Sequence, residues 1–532
     1  MRKTLEKLPD SLYVFLIFFI FFVCNLTSNF SGPHDSMGYL DDLQKGIHLF
    51  PPEHILYHYT TFRLLAILKF VLPHAQDYYL VETLDAFWGC LGLTVIYRIF
   101  LNRMSMARSE AFLGTAVVAF SFGMWFYSSN IEVYMPPLFF LLYGLYLCTG
   151  EPLQPKGVIL LIVVHCLAVL FHQSNVLFTP IVLWKCWDSR KNIPFARSFA
   201  IYAVVALVCV AGFYFAIGWW VEGQNTPAGF SKWLRGYTTD DNNYWLALGA
   251  GSFLKVAIGW GHAFFGGHFI FRIPFLKAFM DHTFYYHSLD DEAYLVRNLN
   301  PTVAVGLLTL TLLVVAIILA LLTRVIRNWK TLYAQKRRVM IPLLMFLVIY
   351  FCFFLFWIPE NLEFWIPQTG ICWVFLLGMN KQLGSPFGLK SNYPLYAGLT
   401  VILLIVNYEG SIRWMKDINN DSVYAKIVNV KETATDKDIV ILRDPWLLED
   451  FLRQYSKAEI WNVPTKEKDI LELNHKVDLS LTQGGRIFLF TQAASIHSIP
   501  NDKYLDSLIA NPNVKAMDFP NELTPVKMLS AR

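Results

Sequence analysis

Most of the candidate chemistry lies between His34 and Arg63. His34, Asp35, Asp41, Asp42, His48, Glu53, His54, His58 and Arg63 fall within thirty residues, directly after an apolar run. Asp35 is the carboxylate to single out. At a membrane surface it can accept a proton from a hydroxyl or amine while that group attacks an electrophile on a lipid carrier. It also suits the N-cap of a helix starting near Ser36. Asp41 and Asp42 read as a solvated helix face. Pro51 and Pro52 break the stretch into two short helices. In the second, His54 and His58 share one face at i, i+4 beside Glu53. They line a polar cavity or sit at the interface. Their spacing suits a metal ion, but the pattern is not H-E-x-x-H, and no metal or other cofactor is expected.

Three more clusters follow. Residues 128–134 carry Glu132 and Tyr134 in a tight turn between apolar runs. A carboxylate at the mouth of a membrane helix is costly unless it faces a cavity or a partner, although the helix dipole also favours it there. His172, Gln173, Ser174 and Asn175 form a polar tip between two short runs. Such a tip is either an ordinary turn or a seat for a phosphate head group, with His172 as the contact. Residues 357–365 gather Glu360, Asn361 and Glu363 between two tryptophans. Tryptophan here suits the interfacial belt, and Trp faces beside carboxylates are also common sugar contacts. Arg272 and Arg297 are candidates for neutralising a phosphate.

The elements that position these groups follow from composition. The chain has 532 residues, 55% hydrophobic and only 16% charged, with a mean hydropathy of +0.41. Soluble domains carry about 25% charge. Disorder, fibrous structure and a secreted disulfide scaffold are excluded. Eight cysteines lie in or beside apolar runs with no C-x-x-C pair, so they read as packing residues. A net charge of +4 gives no footprint for nucleic acid.

Apolar runs at 11–26, 79–100, 111–127, 133–148, 157–171, 175–187, 199–220, 303–322, 340–358, 364–379 and 393–406 predict about eleven transmembrane helices. The two short runs flanking His172 form either a hairpin of two short helices or one long helix. With the N-terminus cytoplasmic and the hairpin, the clusters Arg98–Arg103–Arg108, Lys185–Arg197 and Arg324–Arg338 all fall inside. A further run, 246–271, would invert that pattern if it crossed. It carries Lys255, His262, His268 and four glycines between 259 and 267, and reads as an interfacial or re-entrant helix. The outer regions are then loop 28–78, loop 221–302 and the tail. Residues 1–408 form the transmembrane domain and 409–532 a small soluble α/β domain on the extracytoplasmic side. In the tail, 438–443 and 486–491 read as buried strands, and 447–455 and 504–509 as helices.

The pattern D-S-x-G-Y-x-x-D-L-x-x-G from Asp35 to Gly46, then Pro52-x-His54-x-Leu56-Tyr57, Glu132-Val133-Tyr134 and His172, resembles the C-type (GT-C) glycosyltransferases. The chain is similar in particular to the polyprenyl-phosphate mannosyl and aminoarabinose transferases. The match is good over roughly the first 220 residues and topological beyond. It implies an inverting transfer of a sugar from a polyprenyl-phosphate donor to a glycan, lipid or protein acceptor on the outer or lumenal face. It implies Asp35 as base, Glu132 and Tyr134 in the donor or acceptor pocket, and His172 near the donor phosphate. Asp35-Ser36 replaces the Asp-Glu usual at the first-loop motif.

The rival reading is a transporter or lipid flippase. Transporters show inverted repeats and broken helices at the midplane; this sequence has its polar clusters at one surface. A bacterial inner membrane is expected, with the endoplasmic reticulum as the alternative. N-x-S/T matches at Asn25, Asn29 and Asn420 do not decide between them.

Overall fold

The computed structural model describes residues 10–236, 244–283, 288–443, 446–491, 502–521 and 523–532. The chain forms two compact units. The first comprises Met1–Thr27, Asp42–Ile270 and Asn300–Arg413; the second comprises Ser28–Asp41, Phe271–Leu299 and Trp414–Arg532.

The first unit is helical. Six helices among the described residues are long and apolar enough to cross a membrane: Asp77–Asn102, Phe195–Val221, Pro301–Arg327, Trp329–Phe354, Leu362–Gln382 and Tyr393–Met415, the last reaching just past the unit's final residue. Asp10–Val23, Met135–Cys148 and Pro155–Phe171 are apolar but shorter. The expected count of about eleven is therefore not met by helix length, and the shortfall has local causes. A helix of 14 residues such as Met135–Cys148 is about 21 Å long, short of the roughly 30 Å hydrocarbon core. The run at 111–127 is divided into Arg108–Ala119 and Phe122–Tyr127. Between them, the Ser121 hydroxyl donates to Val117 O at 3.0 Å and accepts from Trp373 Nε1 at 2.9 Å, so a serine back-bond marks the bend. The run at 175–187 begins as a 3-10 turn, Gln173–Phe178, and only Thr179–Asp188 is α-helical.

Burial divides these helices by role. Only 6% of the apolar window of Phe195–Val221 is buried, against 78% for Leu362–Gln382. The former offers its side chains to lipid; the latter is core. Asp77–Asn102 packs on Met135–Cys148 and on Asp10–Val23. The suspected re-entrant run forms the helix Ala250–Phe265. Its Gly259 is pressed against the turn that carries Glu360, and a Cβ there would collide with the Pro359 carbonyl and Trp365; one at Gly261 would meet nothing.

The second unit contains a five-stranded sheet of order β2-β1-β3-β5-β4. The strands are β1 Ile439–Leu442, β2 Glu459–Asn462, β3 Ile487–Phe490, β4 Val514–Phe519 and β5 Val526–Ala531. β1 pairs in parallel with β2 and β3, whereas β5 is antiparallel to β3 and β4. Ile439, Ile441, Ile487 and Leu489 join Leu473, Val477 and Leu505 in one apolar core. β1 and β3 occupy the expected strand positions.

Gly259→Ala and Gly261→Ala test the close packing of Ala250–Phe265. In a helix, alanine is favoured over glycine by roughly 0.5–1 kcal/mol, so Gly261→Ala is expected to hold or raise the unfolding midpoint in detergent. Gly259→Ala is expected to lower stability by about 1–3 kcal/mol through overpacking. Equal midpoints for the two variants would refute the contact.

Candidate functional site

In the first unit, loop and helix ends bring together four of the expected residues in two pairs. His54 ends the short turn Pro52–His54, and His58 lies in the helix Tyr57–Val71. Their rings stand 5.0 Å apart, and the Tyr57 ring is 6.4 Å from His54. Burial, then the charges of His58 and His172, holds His54 well below the ordinary histidine range. Burial also lowers His58. His58 Nδ1 lies 3.0 Å from the His48 carbonyl. A carbonyl only accepts, so Nδ1 is the protonated nitrogen.

Tyr134 and His172 have ring centroids 5.3 Å apart. His172 terminates the helix Pro155–Phe171. Its Nδ1 accepts from the Ser174 N–H at 3.3 Å and lies 2.8 Å from Ser174 Oγ. The neutral ring therefore carries its proton on Nε2 and presents a donor, which suits a phosphate oxygen. A crevice of about 30 Å³ is lined by Tyr134, His172, Asn175, Tyr350 and Glu363. A much larger apolar cavity, about 1170 Å³, is lined by His165, Gln173, Val176, Tyr202, Tyr214 and Phe230, among others. Glu132 is buried, and its backbone N–H donates to Asp85 Oδ2 at 3.3 Å. Glu360 stands apart from the histidines in its bonding: it pairs with Lys255 at 2.8 Å.

The second unit holds Asp35 and Arg272. Asp35 precedes the helix Ser36–Lys45, most of which belongs to this unit, and its carbonyl accepts from the Tyr39 N–H at 2.9 Å. Its carboxylate accepts from the Tyr39 hydroxyl at 3.2 Å. The residue reaches solvent, yet protein crowds it closely enough that desolvation raises its pKa. The His34 charge and the Tyr39 bond oppose that rise. His34 adopts φ +72°, a left-handed conformation sparsely used by residues with a side chain and frequent at functional sites. Arg272 Nε donates to Leu299 O at 2.9 Å. Arg297 donates to Asn420 Oδ1 and Asn419 O, both at 3.0 Å, and its guanidinium lies 3.7 Å from the Tyr294 ring centroid. Both arginines brace loops within this unit.

Sequence reasoning passed over Glu82 and Asp85. Both sit inside the helix Asp77–Asn102 and are essentially inaccessible. Asp85 accepts from the Tyr57 hydroxyl at 3.1 Å as well as from Glu132 N. The signal was present: ionisable residues within an apolar run are functional candidates by default. Asp421, buried in the second unit, was also missed.

No family model matches the chain, and no curated protein matches it in sequence. Solved structures match it in fold. ArnT from Cupriavidus metallidurans in the apo state has a TM-score of 0.53 at 11% identity, covering 98% of this chain and 97% of that one. ArnT bound to undecaprenyl phosphate gives 0.54 at 12% identity with the same coverage. The chain thus shares the overall fold of these ArnT structures, a polytopic helical fold in keeping with its six long apolar helices.

The Tyr57–Asp85 bond is expected to matter for stability. Tyr57→Phe removes a buried donor from a buried carboxyl, which typically costs about 1–3 kcal/mol. Thermal unfolding in detergent checks this. A double-mutant cycle with Asp85→Ala, which leaves the Tyr57 hydroxyl no acceptor at this position, is expected to show coupling of roughly 0.5–3 kcal/mol; strict additivity would remove the bond from the account.

Proposed function

We propose that this protein transfers a sugar from a polyprenyl-phosphate carrier to an acceptor at the outer or lumenal face of the membrane. Asp35 is the general base. The observation that carries the reading is the near end-to-end likeness in fold to a protein solved with undecaprenyl phosphate bound. The apolar cavity beside Gln173, next in sequence to His172, supports it by offering room for an isoprenoid chain.

The acceptor hydroxyl or amine attacks the anomeric carbon and its proton passes to Asp35. The new glycosidic bond forms as the carbon–oxygen bond to phosphate breaks, and that bond's electron pair leaves with the polyprenyl phosphate. Attack from the face opposite the leaving group inverts the centre. The leaving phosphate is already anionic and weakly basic, so it needs hydrogen-bond donors and positive charge more than a proton. His172, with Nε2–H, is the donor in this reading. Glu132 and Tyr134 belong to the pocket, His54 and His58 line it as neutral rings, and Arg272 and Glu360 complete the set, Arg272 also bonded to Leu299 O and Glu360 paired with Lys255. The N-terminus is cytoplasmic and the sheet-bearing tail extracytoplasmic in this reading, with a bacterial inner membrane as the setting.

Sugar transfer in proteoliposomes supplied with short-chain polyprenyl-phosphate sugars tests the reading. Asp35→Asn and Asp35→Ala are expected to lose roughly a hundredfold or more in turnover, the usual scale of general-base catalysis, with donor binding retained. Full activity in both variants would remove Asp35 as base. The pH profile adds a second check. A base works only when deprotonated, and desolvation raises Asp35. The rate is therefore expected to fall as pH drops through a value above the ordinary Asp pKa of about 3.9. An acid limb at or below that value would contradict the assigned environment.

A further inference from the structure

We propose that Asp421 is a positioning residue for Asp35, gripping the segment that leads into it; this rests on the reading of Asp35 as base. Asp421 is fully buried and divides its two carboxylate oxygens between two tasks. Oδ1 accepts from the N–H groups of Val423 and Tyr424, at 2.9 and 3.1 Å, and so caps the helix Ser422–Thr433. Oδ2 accepts from the N–H groups of Phe30 and Ser31, at 3.0 and 2.9 Å, nearly four hundred positions earlier in the chain. Ser28 N–H adds a bond to Met415 O at 2.7 Å. All of these residues lie in the second unit.

Only Gly32, Pro33 and His34 separate Ser31 from Asp35. Proline fixes its own φ, and His34 is held in a left-handed conformation. The link is too short to absorb a displacement of Phe30 and Ser31 without turning the Asp35 carboxyl. The Phe30 ring is fully buried, which seats the far end of the link. Burial pushes Asp421 up to about 6, against the bonds from Ser31 and Tyr424 that pull it down. The cost of burying that carboxyl is offset by four N–H donors, a number that helix capping alone does not require.

Asp421→Asn separates the two tasks. Asparagine is as good an N-cap as aspartate but has one acceptor oxygen. With that oxygen on the helix, its amide NH2 faces the Phe30 and Ser31 N–H groups, donor against donor. Asp421→Ser also caps and is too short to reach the loop. Hydrogen exchange on the full chain in lipid nanodiscs is expected to speed up by roughly tenfold or more at residues 28–36 in either variant, with protection of 422–433 kept. Turnover is expected to fall by roughly tenfold or more at unchanged donor KM, the pattern of a group acting in the transition state and not in binding. Wild-type turnover, unchanged exchange at 28–36, or a rise in KM alone would overturn the proposal. Asp35→Asn runs alongside. If it is inactive while the Asp421 variants are fully active, only the positioning role fails; if it is fully active, the base assignment fails and the positioning role with it.

Discussion

A peptide group that leaves water must find its hydrogen-bond partner within the protein. In the first unit that constraint sorts the chemistry. Helix interiors satisfy their own backbone, so polar side chains are affordable chiefly where helices start and stop. His172 ends Pro155–Phe171 and caps the following turn with its ring nitrogen. Glu132 and Tyr134 immediately precede Met135–Cys148. Glu360 lies ahead of the turn Leu362–Trp365, which Asn361 caps through its side chain. These candidates therefore sit at chain reversals because the membrane leaves few other places for them. Glu82 and Asp85 break the rule, standing inside a helix. Asp85 does so with a tyrosine hydroxyl and a backbone N–H as partners.

The second unit obeys a different economy. Its sheet is built like that of a soluble domain, with β1 and β3 buried along their whole length. Yet it is not one continuous piece of chain. Ser28–Asp41 and Phe271–Leu299 fold with the tail, tied by Asp421 to the first segment and by Ser422 and Lys426 to Asp291 in the second. A boundary drawn where composition turns polar, near residue 409, divides the sequence but not this unit. Hydropathy follows the solvent each residue meets; it carries no record of which distant segment supplies a hydrogen bond.

The same distinction explains what was legible in the sequence. Long apolar runs gave helices, because burial in lipid leaves a signal of some 20 residues. β1 and β3 were legible because strands buried on both faces read as unbroken apolar runs. β2, with the sequence EIWN and only partial burial, and β4, with four exposed residues of six, carry no such run. The bend at Ser121 and the 3-10 turn after His172 depend on single side-chain bonds, and these leave no periodicity to find. Among site residues, Tyr134 and His172 stand out separately from motif and position; that their rings lie 5.3 Å apart is a fact of the fold that the sequence does not carry. Asp85 and Asp421 were not named, since one lay within a run read as plain helix and the other within a turn with no motif.

Three aspartates of the second unit show how environment divides labour among identical side chains. Asp438 is buried; that raises its pKa, but Arg486 at 2.8 Å and the N–H of Thr435 at 2.7 Å outweigh the burial and leave it below the ordinary carboxylate range. Such a group stays charged and works as a strut. Asp421 spends both oxygens on backbone N–H groups and is sealed from solvent. A proton on it would turn an acceptor into a donor facing donors, so it too is built to stay ionised at neutral pH. Asp35 differs from both. It reaches solvent, and its carboxylate accepts from a hydroxyl, not from a guanidinium or a set of backbone N–H groups; like that of Asp421, its pKa is raised. A general base must be charged at working pH yet gain from taking a proton, which asks for a pKa displaced upward toward that pH. Of the three, Asp35 alone combines that displacement with access from outside.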